Sequence, residues 1–249
     1  MSFGYQVLGF GSSANAGDGS VFPDENIVTD QLYWHVDASN SNSYSGSGTT
    51  WKDLISGRNA TLISNPTYSN SSGNGLGAFF FDGENDYATT AFTKDQDAFS
   101  MQAWFKPSTQ LADGQHVIMA SFEGNSAEWW ALSTKGTGRA NPLWTIDNNS
   151  DKRDLENNSQ LADSWQMITG TRSGGTMKLY VNTSLLVTVT DLNTSTITGV
   201  EPFWIASRGP NSTGEMYKGY ISDLKMYTKE LSASNITQNY NTIKGRYGL

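Results

Sequence analysis

Apolar and polar residues alternate along Phe99-Ser100-Met101-Gln102-Ala103-Trp104-Phe105 until Pro107 interrupts the run. Alternation at period two puts one face of a strand in a core, and a proline without an N–H ends the ladder. The pattern returns at 116–122 and 129–133, and briefly at 143–146. The run 165–172 passes through Ser173-Gly174-Gly175 into 177–181, which predicts a β-hairpin. Strands are also expected at 32–38, 185–189, 203–207 and 217–227. Short strands separated by polar turns predict an all-β sandwich or jelly roll from about Gln31 to Tyr227. The helical patterns that a parallel α/β fold needs between strands are missing. One helix is expected at 233–243, packed on the edge of the sandwich. Ser232 is its N-cap, Ile236, Tyr240 and Ile243 fall at helical spacing, and Gly245 stops it.

Composition narrows the reading. Asn, Ser, Thr and Gly are abundant and charged residues are only 16%, which describes a β-protein with polar loops. The net charge of −8 repels phosphate backbones and argues against nucleic acid as a partner. The absence of cysteine excludes disulfides and thiolate metal sites. No run reaches the ~20 apolar residues of a membrane helix. The first basic residue is Lys52, so the front end lacks the positive region of a secretory signal.

Residues 1–30 differ from 31–249, and the chain divides there into an arm and a main domain. Phe3, Tyr5, Val7, Leu8 and Phe10 precede the first charge at Asp18. Two readings of the arm stand: a mobile tail, or a segment that docks on another protein and buries these side chains.

The chemistry-bearing residues are sparse. His35 and His116 lie in no metal-ligand spacing, and no G-x-S-x-G elbow occurs, so nucleophilic catalysis has no support. His35 sits in an apolar strand and reads as a packed residue. Exposed tryptophans are platforms for sugar rings; Trp129, Trp130 and Trp144 are the candidates, with Trp204 beside them. Trp129 and Trp130 are consecutive, so only one of the two can face the core.

The segments Leu32-Tyr33-Trp34-His35-Val36-Asp37-Ala38, Thr50-Trp51-Lys52-Asp53-Leu54, Phe79 to Tyr87, and Gly219-Tyr220-Ile221-Ser222-Asp223-Leu224-Lys225-Met226-Tyr227, followed by Glu230-Leu231-Ser232, together resemble the laminin-G-like (concanavalin A-like lectin/glucanase) jelly roll. The ending Leu231 to Asn241 resembles the L-S-x-x-E-I-x-x-N-Y-N ending of such domains in tailed-phage virion proteins, with Asn235 in place of Glu. The opening Met1 to Gly11 resembles the start of some marine phage structural proteins.

The resemblance implies several things. The fold is a concanavalin A-like jelly roll with an N-terminal arm and one C-terminal helix. The turn Asn182-Thr183-Ser184, often Asn-Gly in the family, should be looser here. The glucanase branch carries E-x-D-x-x-E, but Glu84-Asn85-Asp86-Tyr87-Ala88-Thr89 ends in threonine. The segment reads instead as a turn whose side chains satisfy local amides, and no hydrolase is expected. The family often holds one structural calcium; Asp223 is the leading ligand, with Asp37 and Asp82. The function expected is a non-enzymatic virion component, such as a capsid decoration, neck or fibre protein. It would be multicopy or homo-oligomeric, dock on other virion proteins through its arm, and display a domain for host glycans. A stand-alone lectin and, less so, a polysaccharide hydrolase are the competing readings.

Overall fold

The computed structural model of the chain describes residues 26–71, 77–108, 114–122, 128–136, 141–148, 151–190, 193–198, 202–209 and 214–249. The arm residues Phe3, Tyr5, Val7, Leu8 and Phe10 lie outside them. The strands in chain order are β1 (Leu32–Asp37), β2 (Thr50–Trp51), β3 (Ala60–Ile63), β4 (Thr67–Ser69), β5 (Ala78–Asp82), β6 (Tyr87–Thr90), β7 (Phe99–Pro107) and β8 (Gln115–Ser121). They continue with β9 (Glu128–Lys135), β10 (Asn141–Asn148), β11 (Lys152–Glu156), β12 (Gln166–Ser173), β13 (Thr176–Val181), β14 (Ser184–Thr190), β15 (Phe203–Ile205) and β16 (Lys218–Tyr227). The helix α1 (Ala233–Ile243) and one turn of 3-10 helix (Lys244–Tyr247) follow.

The strands form two antiparallel sheets. The first runs β14-β13-β12-β7-β16-β5-β4, with β1 also paired to β16. The second runs β11-β10-β9-β8-β15-β6-β3-β2. In both, a late strand lies between two early ones: β16 between β7 and β5, and β15 between β8 and β6. The front and the back of the chain therefore interlock, as a jelly roll requires. β16 pairs with β5 through Lys218–Ile221 and with β1 through Asp223–Tyr227, so two early strands lie end to end along it.

The core between the sheets is aromatic. Trp34, Trp51, Phe79, Phe99, Trp144 and Phe203 are completely buried there. Such bulk in a layer about 10 Å thick needs room on the facing sheet. Gly170 in β12 provides it: a Cβ at that position would lie 2.5 Å from the Trp144 ring.

The helix forms as its sequence predicts, but it lies on the outer face of the first sheet, not on an edge. That face carries Trp104, Trp165, Met167 and Tyr227, too much apolar surface to leave in water. Ile236 and Ile243 pack onto it, and Trp104 stacks against Tyr240 at 5.4 Å and Tyr247 at 4.4 Å. The cap is reciprocal: the Asn235 N–H donates to Ser232 Oγ and the Ser232 N–H donates to Asn235 Oδ1. Asn235 thus closes the capping box that glutamate or glutamine normally closes. Asn239, also inward, donates to Gln102 Oε1 at 3.0 Å and Tyr227 Oη at 2.9 Å, and accepts from the Val28 N–H.

Three expectations change in detail. Residues 26–30 belong to the main domain, because Ile27 and Val28 are buried under the helix. The hairpin turn after Val181 is tight: Val181 pairs with Ser184, and Asn182 alone takes the left-handed conformation, at φ 55°. β10 is longer than its apolar run, and the charged edge strand β11, where only Leu155 is buried, pairs with it unannounced by any alternation.

Gly170→Ala should overpack the core against Trp144 and cost about 1–3 kcal/mol. Urea unfolding measures this; unchanged stability would mean that the Trp144 ring moves aside freely.

Candidate functional site

Three groups of polar or aromatic side chains stand out from the framework. The first is interior. In the β1–β16 register Asp37 faces Asp223 and His35 faces Lys225. Period two puts all four on the same face of the first sheet, beneath the C-terminal segment. Asp37, Asp223 and Lys225 are fully buried, and His35 is nearly so. Lys225 donates to Asp223 Oδ1, and His35 Nε2 meets Asp223 Oδ2 at 2.8 Å. Arg246 reaches down from the 3-10 turn to Asp37 Oδ2 at 2.6 Å. Burial alone would raise the Asp223 carboxyl, but Lys225 and His35 outweigh it and hold it well below the usual carboxylate range.

The sequence-predicted metal ligands are thus partly brought together. Asp37 and Asp223 converge, with His35 as a third donor; the ligand atoms of these three lie within 4.8 Å of one another. Asp82 does not join them. It is the last residue of β5, at the entry to a turn, where Oδ1 accepts from the N–H groups of Glu84, Asn85 and Asp86. The donor set does not fit calcium, since an ammonium and a guanidinium already hold both carboxylates. His35, read from sequence as a packed residue, is packed and also hydrogen-bonds to Asp223. The readable signal was Asp223 and Lys225 at i and i+2 on one strand.

The second group is that turn. Burial raises the Asp82 carboxyl, yet the three amides outweigh it and hold it below its ordinary value. Asp86 goes the other way: burial and then the charge of Asp82 push it up to about 6. Glu84 is exposed and Thr89 lies on β6, so the segment is a capped turn and not a row of carboxylates along one strand.

The third group lies on the outer face of the second sheet. Trp204 faces Ala120 on one side and Thr89 on the other; Ala120 faces Ala131, and Ala131 faces Thr145. One row along, Trp129 faces Asp147, which faces Lys152. Phe122 meets Trp129 edge-on at 5.4 Å. The Arg208 guanidinium lies 3.7 Å from the Phe122 ring centre and 5.1 Å from that of Trp129, and Lys152 Nζ lies 5.6 Å over Trp129. Glu215 pairs with Arg208 at 2.6 Å, and Thr145 donates to Asp154 at 2.7 Å. Arg208 Nε and the Trp204 indole N–H have no hydrogen-bond partner among the described residues.

The tryptophans therefore divide. Trp130 and Trp144 point between the sheets and pack on each other at 6.1 Å, so neither is a platform. Their parity in β9 and β10 faces the core. Trp129 points the opposite way, onto the outer face, although the neighbouring cations leave only 7% of it exposed. Sequence reasoning missed Phe122, Arg208 and Lys152. Phe122 was readable as the outward member of the alternating run it ends. Arg208 had no signal, because it arrives from the connection between β15 and β16.

A carboxyl raised by the fold binds its proton more tightly in the folded than in the unfolded chain. Asp86 therefore favours the folded state below about pH 4 and loses that contribution as pH rises toward 6. Asp86→Asn keeps an acceptor and removes the charge. It should flatten stability between these limits and raise the neutral-pH melting temperature by about 3 °C. Urea unfolding at a series of pH values checks this; an unchanged slope would refute it.

Residues 82–237 match the family described as the concanavalin A-like lectin/glucanases superfamily. No curated protein matches the sequence. Among solved structures, domain 4 of AbnA, a GH43 extracellular arabinanase from Geobacillus stearothermophilus, in complex with arabinotriose, aligns with a TM-score of 0.64. The identity is 16% over 84% of this chain and 98% of that one. The ligand-binding domain of botulinum neurotoxin serotype D in complex with N-acetylneuraminic acid aligns at 0.63, with 18% identity over 85% and 51%. The binding domain of Paraclostridial Mosquitocidal Protein 1 aligns at 0.65, with 14% identity over 85% and 52%. The chain spans about half the length of these two toxin domains. At such identities these likenesses show a shared fold. The sequence match covers most of both sheets, and with it the chain belongs to the concanavalin A-like lectin/glucanase superfamily.

Proposed function

We propose that the chain is a non-catalytic glycan-binding protein of a tailed-phage virion, an appendage or decoration component, with its binding surface on the outer face of the second sheet. One asymmetry carries the glycan reading. The outer face of the first sheet is sealed by α1 and the 3-10 turn. Among the described residues no helix lies over the second sheet, whose outer face carries Phe122, Trp129 and Trp204, packed to 7–9% exposure beside Arg208, Lys152, Glu215 and Asp154. Apolar ring edges suit the C–H face of a sugar, and fixed charged donors and acceptors suit its hydroxyls.

Two solved relatives of the fold hold sugars, arabinotriose in one and N-acetylneuraminic acid in the other, which supports the ligand class. Placed carboxylates are what hydrolysis would need. The segment nearest the glucanase motif is a capped turn with Thr89 at the third position, which supports a role without catalysis. The virion setting rests on the ending Leu231 to Asn241 and on the uncharged aromatic opening of the chain.

The test is a glycan array followed by titration of any glycan retained. Binding should weaken at least tenfold in Trp129→Ala and in Arg208→Ala, with no reducing sugar released. An array with no retained glycan, or variants that bind as tightly as the parent, would sink the glycan reading. Deleting residues 2–22 should leave the sandwich folded and abolish incorporation into particles. Full incorporation of the truncated chain would remove the arm from the proposal.

A further inference from the structure

We infer that this chain holds its buried Asp37–Asp223 pair with two of its own cations, Lys225 and Arg246, standing where a divalent metal ion would otherwise sit. The two carboxylates face each other across β1 and β16 and are fully buried. Neither could stay ionised there without compensation. His35 adds a nitrogen within the same 4.8 Å cluster, so the side chains have the spacing of a metal site.

The oxygens, however, are already taken. Asp223 Oδ1 accepts from Lys225 and Oδ2 faces His35 Nε2. Asp37 Oδ2 accepts from Arg246, and Oδ1 from the Ser39 N–H at 2.8 Å. Two carboxylates are balanced by one ammonium and one guanidinium. A divalent ion placed among them would leave two positive charges uncompensated in a sealed interior, at a cost of several kcal/mol per ion. It would also meet too few oxygens, since calcium takes about six to eight.

The replacement has a structural consequence. A metal would join only the strands that ligate it. Here Arg246 comes from the 3-10 turn, 209 residues after Asp37, so the same charges that neutralise the pair also fasten the C-terminal cover to the first sheet. The closure of the domain then needs no divalent ion.

The experiment compares melting of the full chain in EDTA, calcium and manganese. The parent should melt at one temperature in all three. Lys225→Ala removes the ammonium and leaves His35, Asp37 and Asp223 facing a vacancy; it should gain stabilisation by manganese or calcium that the parent lacks. Lys225→Met, which refills the volume without charge, should gain none. The inference is overturned if calcium raises the parent's melting temperature and Asp223→Asn abolishes that rise. It is also overturned if Lys225→Ala folds in EDTA and no divalent ion stabilises it. Folding of Lys225→Ala only when manganese or calcium is present would support it. If that variant folds in no condition, the comparison of the parent with Asp223→Asn decides.

Discussion

The buried pairing of Asp37 with Arg246 and of Asp223 with Lys225 and His35 is the constraint on which the architecture turns. Its value is better described as specificity than as net stability. Desolvating these groups offsets most of their attraction, whereas losing one partner would cost about 3–5 kcal/mol by stranding a charge. Any slip of β1 against β16 by one residue would strand all of them and expose the core face. The network therefore fixes the register between the first strand and the last. The interlocked sheets depend on that register, because β16 also sits between β5 and β7.

The two outer faces follow from it. Rows of side chains on the outer face of the first sheet are occupied by this network and by Gln102 and Thr169, which are hydrogen-bonded to each other. Such polar groups need a lid to complete them, and α1 supplies Asn239 while Trp104 and Tyr247 stack beside it. The lid makes the first sheet unavailable for recognition. The second sheet carries small residues, Ala120 and Ala131, along the middle of its outer face and aromatic and charged side chains around them.

The sequence carried the fold well along the long apolar strands, which the structure buries on both faces. Period-two runs placed β7, β8, β9 and the β12–β13 hairpin, and Ser232 placed the helix start. It carried little where pairing is enforced from outside. β11 is charged at almost every position and exists because β10 offers it a ladder. The helix's position on a face was hidden because it depends on how much apolar surface the sheet leaves exposed, which is a tertiary quantity. The site was legible in the same uneven way. Parity between Trp129 and Trp130 required one of them to face outward, and it did. Nothing local announced Arg208 or Arg246, since each crosses from a different part of the chain to its partner.

Perturbed ionisation usually marks functional sites, and here it points away from the proposed one. Among the described residues, Asp223, whose carboxyl is held low, is sealed beneath the C-terminal cover, and Asp86, whose carboxyl is pushed up, lies in a turn beside Asp82. Both shifts are by-products of closing the framework: one from neutralising a buried acid, the other from crowding two acids into a tight reversal.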